Sequence, residues 1–369
     1  MLNNLHQFIS NYFRKIYANE YRIFSTLIFQ KISKRQNRFR FHTTLIFTTS
    51  VLLLLVPIYA AAAGELKEIA PGIYIRPGLH EDFSKSNQGH IANIGFIVGN
   101  DRVAVIDTGS NIQEGMALRQ MIREITDLPI EYVILSHMHP DHSLGAAAFR
   151  QDNPKFIGHA QLGDALARRQ SVYLNNMTQI LGSASEGTEM VFPDQTVTVD
   201  QRLSLDLGGR LLHLTAYPTA HTNNDISIYD SKTATLWLSD LLFIDRIPVV
   251  DGSILGWMKV TNGLINANCF NNSAKTEDDH KARDCLNCDA IARVVPGHGP
   301  VVTQWKTALL NQRRYLENIA NEIREIIKQG GTITQAVEQV GLNERSNWLL
   351  FKTYHGRNVT AAFAELEWE

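Results

Sequence analysis

The sequence predicts an α/β fold, a layered sandwich closed by a helical tail, and three observations lead there. Short apolar runs bounded by turn residues dominate from Gly72 to Val302. Helical patterns interrupt them at 113–125 and 160–173. From 304 onward the strand-like runs stop and apolar residues recur at helical spacing. Strands mixed with helices in both halves fit sheets whose faces are covered by helices.

The elements follow in order. GIYIR (72–76), IGFIVG (94–99), VAVIDTG (103–109), YVILSH (132–137) and KFIGH (155–159) are runs rich in Val, Ile, Leu and Tyr. LLHLTAYP (211–218), ISIYD (226–230), TLWLSD (235–240) and ARVVPGHG (292–299) repeat the pattern. Runs of this length and composition read as buried strands. In the tail, Leu309, Leu316, Ile319, Ile323, Ile326 and Ile327 mark one helix over 304–328, stopped by Gly330 and Gly331. Thr332 then caps a second helix to about Val340.

The chain has 369 residues and a formal net charge of −2, but that mean conceals a split. Up to Ala63 there are eight Lys/Arg against one acid, Glu20, so this segment carries +7 and the remaining 306 residues carry −9. The basic stretch precedes LIFTTSVLLLLVPI (45–58) and then YAAAAG. A basic region, an apolar run and a small-residue site describe a secretory signal peptide, cut near Ala62–Gly64. The run from Thr43 to Ala63 is also long enough to span a bilayer as an uncleaved anchor; Pro57 and the small residues favour cleavage. Three regions result: a basic extension and signal peptide (1–63), a main domain (64–303) and a C-terminal helical extension (304–369). The expected location is periplasmic or secreted, with no membrane attachment after cleavage. An acidic mature chain argues against nucleic-acid partners, whose phosphates demand Lys/Arg clusters.

The chemistry concentrates in SHMHPDHSLG (136–145), directly after a strand. His137, His139, Asp141 and His142 fall within six residues. In a near-extended loop alternate side chains point the same way, so His137 and His139 can chelate one ion, while Asp141 and His142 project toward a second. One loop cannot fill two coordination shells. His221 in PTAHTNND, Asp240 in LWLSDLLF and His298 in VVPGHGP each follow an apolar run and are the candidates to complete them.

The order H-x-H-x-D-H followed by a later His, Asp and His resembles the metallo-β-lactamase superfamily, over roughly Ile69 to Val302. The resemblance implies a four-layer αββα sandwich with the site along one edge between two sheets. It implies that His137, His139 and His221 bind a first zinc, that Asp141, His142 and His298 bind a second, and that Asp240 bridges both. Iron or manganese are the alternative metals. Asp107 in VIDTG matches the family's early D-T-G element, whose aspartate supports the metal loop. IANIGFIVGNDRVAVIDTGSN, GHAQLGDALARRQSVYL, DLLFIDRIPVVDGSILGWMKV and the tail from Asn347 resemble, more narrowly, the quinoprotein relay system zinc metallohydrolases. That likeness implies a partner pathway of periplasmic quinoprotein oxidation.

The expected function is hydrolysis of an ester, thioester or lactam-like carbonyl in a small molecule, by hydroxide generated between two zinc ions, with Asp141 orienting it. The alternatives are a non-hydrolytic periplasmic accessory or binding protein, and a mononuclear-iron sulfur oxidoreductase on the same fold. Among the remaining residues, His159 is expected as a strand-end structural histidine and His213 as a satisfied core group. His80 and His90 flank a polar stretch, Glu81–Gly89, expected as a mobile flap. Tyr173 and Tyr217 are candidates to reach the pocket, and His355, Arg357 and Asn358 are expected to tie the tail down. Cys269, Cys285 and Cys288 lie in one polar stretch; a disulfide closing it is favoured over a structural zinc site with His280.

Overall fold

Strand β4 (Val103–Ile106) shows how the layers arise. Its four residues are all buried, with Val103 and Val105 in one apolar cluster and Ala104 and Ile106 in another. A strand that is apolar on both faces has to be covered on both sides. The computed structural model, which describes residues 64–266 and 291–369, supplies those covers. The amino-terminal segment, Cys269, Cys285, Cys288 and His280 lie outside the described residues, and with them the signal-peptide and disulfide expectations.

Seven strands form the first sheet in the order β1 (Lys67–Ala70), β2 (Ile73–Arg76), β3 (Ile94–Val98), β4, β5 (Ile130–Ile134), β6 (Lys155–His159), β7 (Gln195–Val197). Pairings from β1 to β4 are antiparallel; those from β4 to β7 are parallel. The second sheet has the order β12 (Arg293–His298), β11 (Thr235–Phe243), β10 (Ile226–Asp230), β9 (Leu211–Ala216), β8 (Leu203–Asp206). Only β11–β12 is parallel there. All nine strand-like runs of the sequence are strands. The three it did not announce, β1, β7 and β8, have only three or four residues and are largely exposed at one end.

Ile75, Ile97, Ile106 and Ile134 of the first sheet meet Leu212, Leu214, Ile228 and Trp237 of the second in the central core. Helices α1 (Ile112–Ile125), the single turn α2 (Pro140–Ser143) and α3 (Leu162–Leu181) belong to the first half, where Leu118, Ile122, Leu162 and Leu166 cover the outer face. Helices α4 (Ile254–Asn266), α5 (Trp305–Lys328), α6 (Ile333–Gln339) and α7 (Phe351–Leu366) cover the other sheet through Trp257, Leu309, Leu316 and Phe363. The result is the expected αββα sandwich with C-terminal helices. No helix among the described residues is long and apolar enough to cross a membrane.

Local signals explain the helix limits. Asn111 caps α1, accepting a hydrogen bond from the Glu114 N–H. Gly330 stops α5 at φ +69, a conformation glycine adopts without penalty. Thr332 and Gln335 close a reciprocal capping box on α6. The tail is built into the core. Gln312, fully buried on α5, accepts from Phe243 N (2.8 Å) and donates to Leu241 O (2.8 Å), fastening α5 to β11.

Two expectations need correction. His213 is not a core group, because β9 alternates and the inward positions belong to Leu212, Leu214 and Ala216. It lies half-buried on the outer face, paired with Ser204 Oγ at 2.9 Å. Glu81–Gly89 is a fastened wall. Asn87 Nδ2 donates to Glu81 and to Asp82 O, Arg246 donates to Glu81 O, and the Tyr354 hydroxyl donates to Asp82. His90 turns inward, only 2% exposed, onto Glu114 at 2.8 Å.

Candidate metal centre

The seven polar residues singled out in the sequence come from four separate stretches of chain and meet at one edge of the sandwich. His137 follows β5, His139 leads into α2, and Asp141 and His142 lie in α2. His221 sits in the loop after β9, Asp240 inside β11 and His298 at the end of β12. Parallel pairing of β11 with β12 brings the last two together, and the register is irregular between Trp237 and Phe243. Ser239, with φ +47, marks that irregularity and re-aims the strand at Asp240. Gly297 leaves the room the carboxylate needs: a Cβ there would stand 1.7 Å from Asp240 Oδ1.

Two groups result, each able to hold a metal ion: His137, His139, His221 and Asp240, and beside it Asp141, His142 and His298. His139 Nδ1 lies 3.0 Å from His137 Nε2 and 2.9 Å from His221 Nε2. Asp240 stands between the groups. Its Oδ2 is 3.3 Å from His221 Nε2 and 3.5 Å from His298 Nε2, and its Oδ1 is 3.1 Å from His142 Nε2. Asp141 Oδ2 is 3.3 Å from His298 Nε2.

The outward ring nitrogens decide how the inward ones are presented. His142 Nδ1 lies 2.8 Å from Asp107, His298 Nδ1 2.8 Å from Ile91 O, His221 Nδ1 2.7 Å from Val249 O and His139 Nε2 3.0 Å from Asp251. Carbonyl and carboxylate oxygens only accept, so each of these nitrogens carries the proton and donates it. His137 Nδ1 meets Ser136 Oγ at 3.0 Å, and that hydroxyl donates onward to Asp107. In each neutral ring the lone pair is thereby left on the inward nitrogen, and five such nitrogens converge, some within 3.0 Å of one another. Lone pairs that close repel unless a cation lies among them, and this outward-donor arrangement is the one metal-binding histidines use. The second group agrees. His142 Nε2 and Asp240 Oδ1 are near each other yet misaligned, and both are buried without a hydrogen-bond partner among the described residues. Both aim at a third body. The donor set of imidazoles and carboxylates fits a borderline or hard divalent ion.

Electrostatics keep the two carboxylates ionised. Burial works against the charge of Asp141 and Asp240, but the neighbouring His142 and His298 outweigh it and hold both below the ordinary carboxyl value. Burial would lower His142 and His221, yet Asp240 reverses the direction in each, helped at His142 by Asp107 and Asp141. His137, with less compensation, is pushed well below its ordinary value by burial and by His142.

Asp107, fully buried at φ +56, accepts from Ser136 N (2.8 Å), Ser136 Oγ (2.8 Å), Ser239 Oγ (3.1 Å) and His142. It touches no other member of the cluster's inner face and holds the loop that carries it. The sequence did not single out Asp251, whose carboxylate orients His139 and meets Arg169 at 3.6 Å. Nor did it single out Arg246, buried beside His298 Nδ1 at 3.3 Å. His80 is half-buried on that same side, within electrostatic reach of His298 and Arg246. His159 stays at the end of β6, accepting from Gln161 N at 3.0 Å. Tyr217 packs in the outer core and bonds Ser227 at 2.9 Å, away from the cluster. His355 and Asn358 tie α7 to Val340 O, Tyr315, Val250 N and Pro248 O, while Arg357 only stacks over Tyr354.

Comparison with known proteins bears on the same stretch. The profile of the Metallo-beta-lactamase superfamily matches residues 88–298, more than half of the chain and all seven clustered residues. The chain belongs to the metallo-β-lactamase superfamily. Its fold is similar to that of a metallo-β-lactamase from Pontibacter korlensis, with TM-score 0.51 and 15% identity over 69% of this chain and 99% of that one. It is likewise similar to VMB-1, with TM-score 0.52 and 14% identity over 70% and 99% of the two chains. None of the curated proteins compared with it matches the sequence. Likeness at these identities is a likeness of fold, in which the superfamily sandwich sets the cluster at one edge and the C-terminal helices extend beyond the matched stretch.

Proposed function

We propose that this chain is an exported two-zinc hydrolase acting on an ester, thioester or lactam-like carbonyl of a small molecule. The observation that carries the proposal is the convergence of five imidazole lone pairs and two carboxylates into two adjacent groups sharing Asp240. His137, His139 and His221 would hold one ion, Asp141, His142 and His298 the other, with Asp240 reaching both. Two ions so held supply a Lewis acid for the carbonyl and lower the pKa of a water from 15.7 toward about 7.

The chain's own groups do the rest. Asp107, Asp251 and the carbonyls of Ile91 and Val249 keep the imidazole protons outward. Asp141, held ionised by His142 and His298, offers a carboxylate that accepts a hydrogen bond from an attacking water and orients it. Ser136 and Ser239 are committed to Asp107, so neither serves as a nucleophile.

The finer placement, among quinoprotein relay hydrolases in the periplasm, is supported by the sequence blocks at 91–111, 158–174 and 240–260 and by the basic and apolar amino-terminal segment. Elemental analysis of purified protein, together with turnover of nitrocefin and a panel of thioesters, tests the main proposal. About two zinc per chain and hydrolysis lost in His139→Ala are expected; active protein without a transition metal would refute it. The amino terminus of exported material, read by mass spectrometry, tests the location: cleavage near Ala62–Gly64 is expected, and a terminus upstream of Leu45 counts against it.

A further inference from the structure

The loop 244–253, between β11 and α4, holds two of the three imidazoles of the first group. Val249 O accepts from His221 Nδ1 at 2.7 Å, and Asp251 N donates to His221 O at 3.1 Å. Asp251 Oδ2 accepts from His139 Nε2 at 3.0 Å. The loop belongs to neither sheet nor helix, so its own backbone pairing does not fix it. Helix α7, which lies beyond the stretch matched by the superfamily profile, packs against it.

Asn358 of α7 grips the backbone on both sides of Val249. Its Oδ1 accepts from Val250 N at 3.0 Å, and its Nδ2 donates to Pro248 O at 2.6 Å. The orientation of this amide is set from behind. His355 Nε2 donates to Val340 O, which leaves Nδ1 to accept from the Tyr315 hydroxyl at 3.1 Å. The Tyr315 oxygen then accepts from Asn358 Nδ2 at 2.9 Å, so the nitrogen faces Pro248 and the oxygen faces Val250. Asn358 is fully buried, and solvent does not compete for these bonds.

One peptide unit carries the link to the metal centre. The C=O of Val249 and the N–H of Val250 belong to the same planar amide and point in opposite directions. His221 is bonded to one end and Asn358 to the other. Holding the N–H fixes the direction of the carbonyl, and a hydrogen bond at the N–H makes that carbonyl a stronger acceptor. Docking of α7 has other supports. Phe351, Val359 and Phe363 are buried in the outer core, and Glu365 accepts from Ser253 Oγ (2.6 Å) and Ile254 N (2.7 Å).

We infer that Asn358 is a positioning residue for the metal centre: through the Val249–Val250 peptide it sets the direction in which His221 presents Nε2 to the first ion. The inference rests on the two-ion reading proposed above, and its test reads metal affinity rather than turnover.

Asn358→Leu keeps the approximate volume and removes both bonds to the loop. In zinc titrations against a competing chelator, affinity at the His137–His139–His221 group is expected to fall about tenfold, the lower range for a lost outer partner of a metal-binding histidine. The Asp141–His142–His298 group is expected to keep its wild-type affinity, and the same titration in His298→Ala protein tells which affinity is which. Phe363→Ala removes packing from the same helix without touching the loop; it is expected to lower the thermal midpoint and leave both affinities unchanged. Asn358→Ser, which retains a hydroxyl for one of the two bonds, stands in if Asn358→Leu does not fold, with a smaller loss at the same group. Wild-type affinity at the His221 group in whichever variant folds would overturn the assignment. So would a loss shared equally by both groups, or one that Phe363→Ala reproduces. Wild-type protein that holds no zinc defeats the two-ion reading and this assignment with it. Wild-type zinc affinities matched by the Asn358 variants defeat the assignment alone.

Discussion

Replacing Asp107 by Asn changes one atom and should strip metal from one of the two groups. The backbone at Asp107 has φ +56, which Asn tolerates as well as Asp, so the substitution adds no conformational strain. The side chain keeps its shape and its Oδ1 can still accept from Ser136 N. At the Oδ2 position, however, an NH₂ would now face Ser136 Oγ, Ser239 Oγ and His142 Nδ1, all of which donate to it in the native protein. His142 can satisfy that new donor only by accepting at Nδ1, which moves its proton to Nε2. The lone pair aimed at Asp141, His298 and Asp240 is then lost. Rotating the amide instead orphans Ser136 N.

Losing an outer partner of a metal-binding histidine costs about 10- to 100-fold in affinity. Hydrogen bonds to a charged group contribute about 1.5–3 kcal/mol each, so a folding cost of about 2–4 kcal/mol is expected alongside. Titration with a competing chelator reads the two affinities separately, and calorimetry reads the midpoint. The weakening should be confined to the Asp141–His142–His298 group, because Asp107 reaches the other only through Ser136 and His137. Asp107→Asn protein with two unweakened metal affinities would refute the reasoning.

Other outcomes follow from the same contacts. Asp251→Ala frees His139 Nε2 and should weaken the His137–His139–His221 group about tenfold, with little change in thermal midpoint, because Asp251 is partly exposed. Arg210 is 2% exposed, grips Asp230 through two bonds (2.8 and 2.9 Å) and donates to Pro71 O and Val98 O of the facing sheet. Arg210→Met, which leaves Asp230 buried and unpaired, should cost about 3–5 kcal/mol in denaturant unfolding. Asp152 titrates below the ordinary carboxyl value of 3.8, because Arg119 and Arg123 outweigh the opposing effect of burial. Its contribution is therefore full above that value and is lost as pH falls through the lowered folded value. Unfolding midpoints of Asp152→Asn between pH 5 and pH 2 should fall less steeply than those of wild type.

Most of the centre was legible because its chemistry is written in unusual residues at strand ends. Three histidines and an aspartate within six positions have few structural uses, and His221, Asp240 and His298 each terminate or interrupt an apolar run. Asp251 was not legible. It looks like any turn aspartate in VVDGS, and its partner His139 is 112 positions away. The short strands β7 and β8 were missed because three or four half-exposed residues make too little pattern to detect.

The sequence by itself determined the layered α/β class, the helix ends set by Gly330 and Thr332, and the identity of seven metal-capable side chains. These are local properties: apolar period, capping chemistry and residue type. The two groups and the place of Asp240 between them, which the family resemblance implied, are brought together only by the tertiary structure, and it alone decided which nitrogen of each imidazole looks inward. Those depend on strand pairing, on the backbone irregularity at Ser239, on the missing Cβ of Gly297 and on oxygen partners from distant loops. It also turned His213 out of the core and fastened the 81–89 segment, because the pleat and the docked tail outweigh what a short stretch of chain prefers alone.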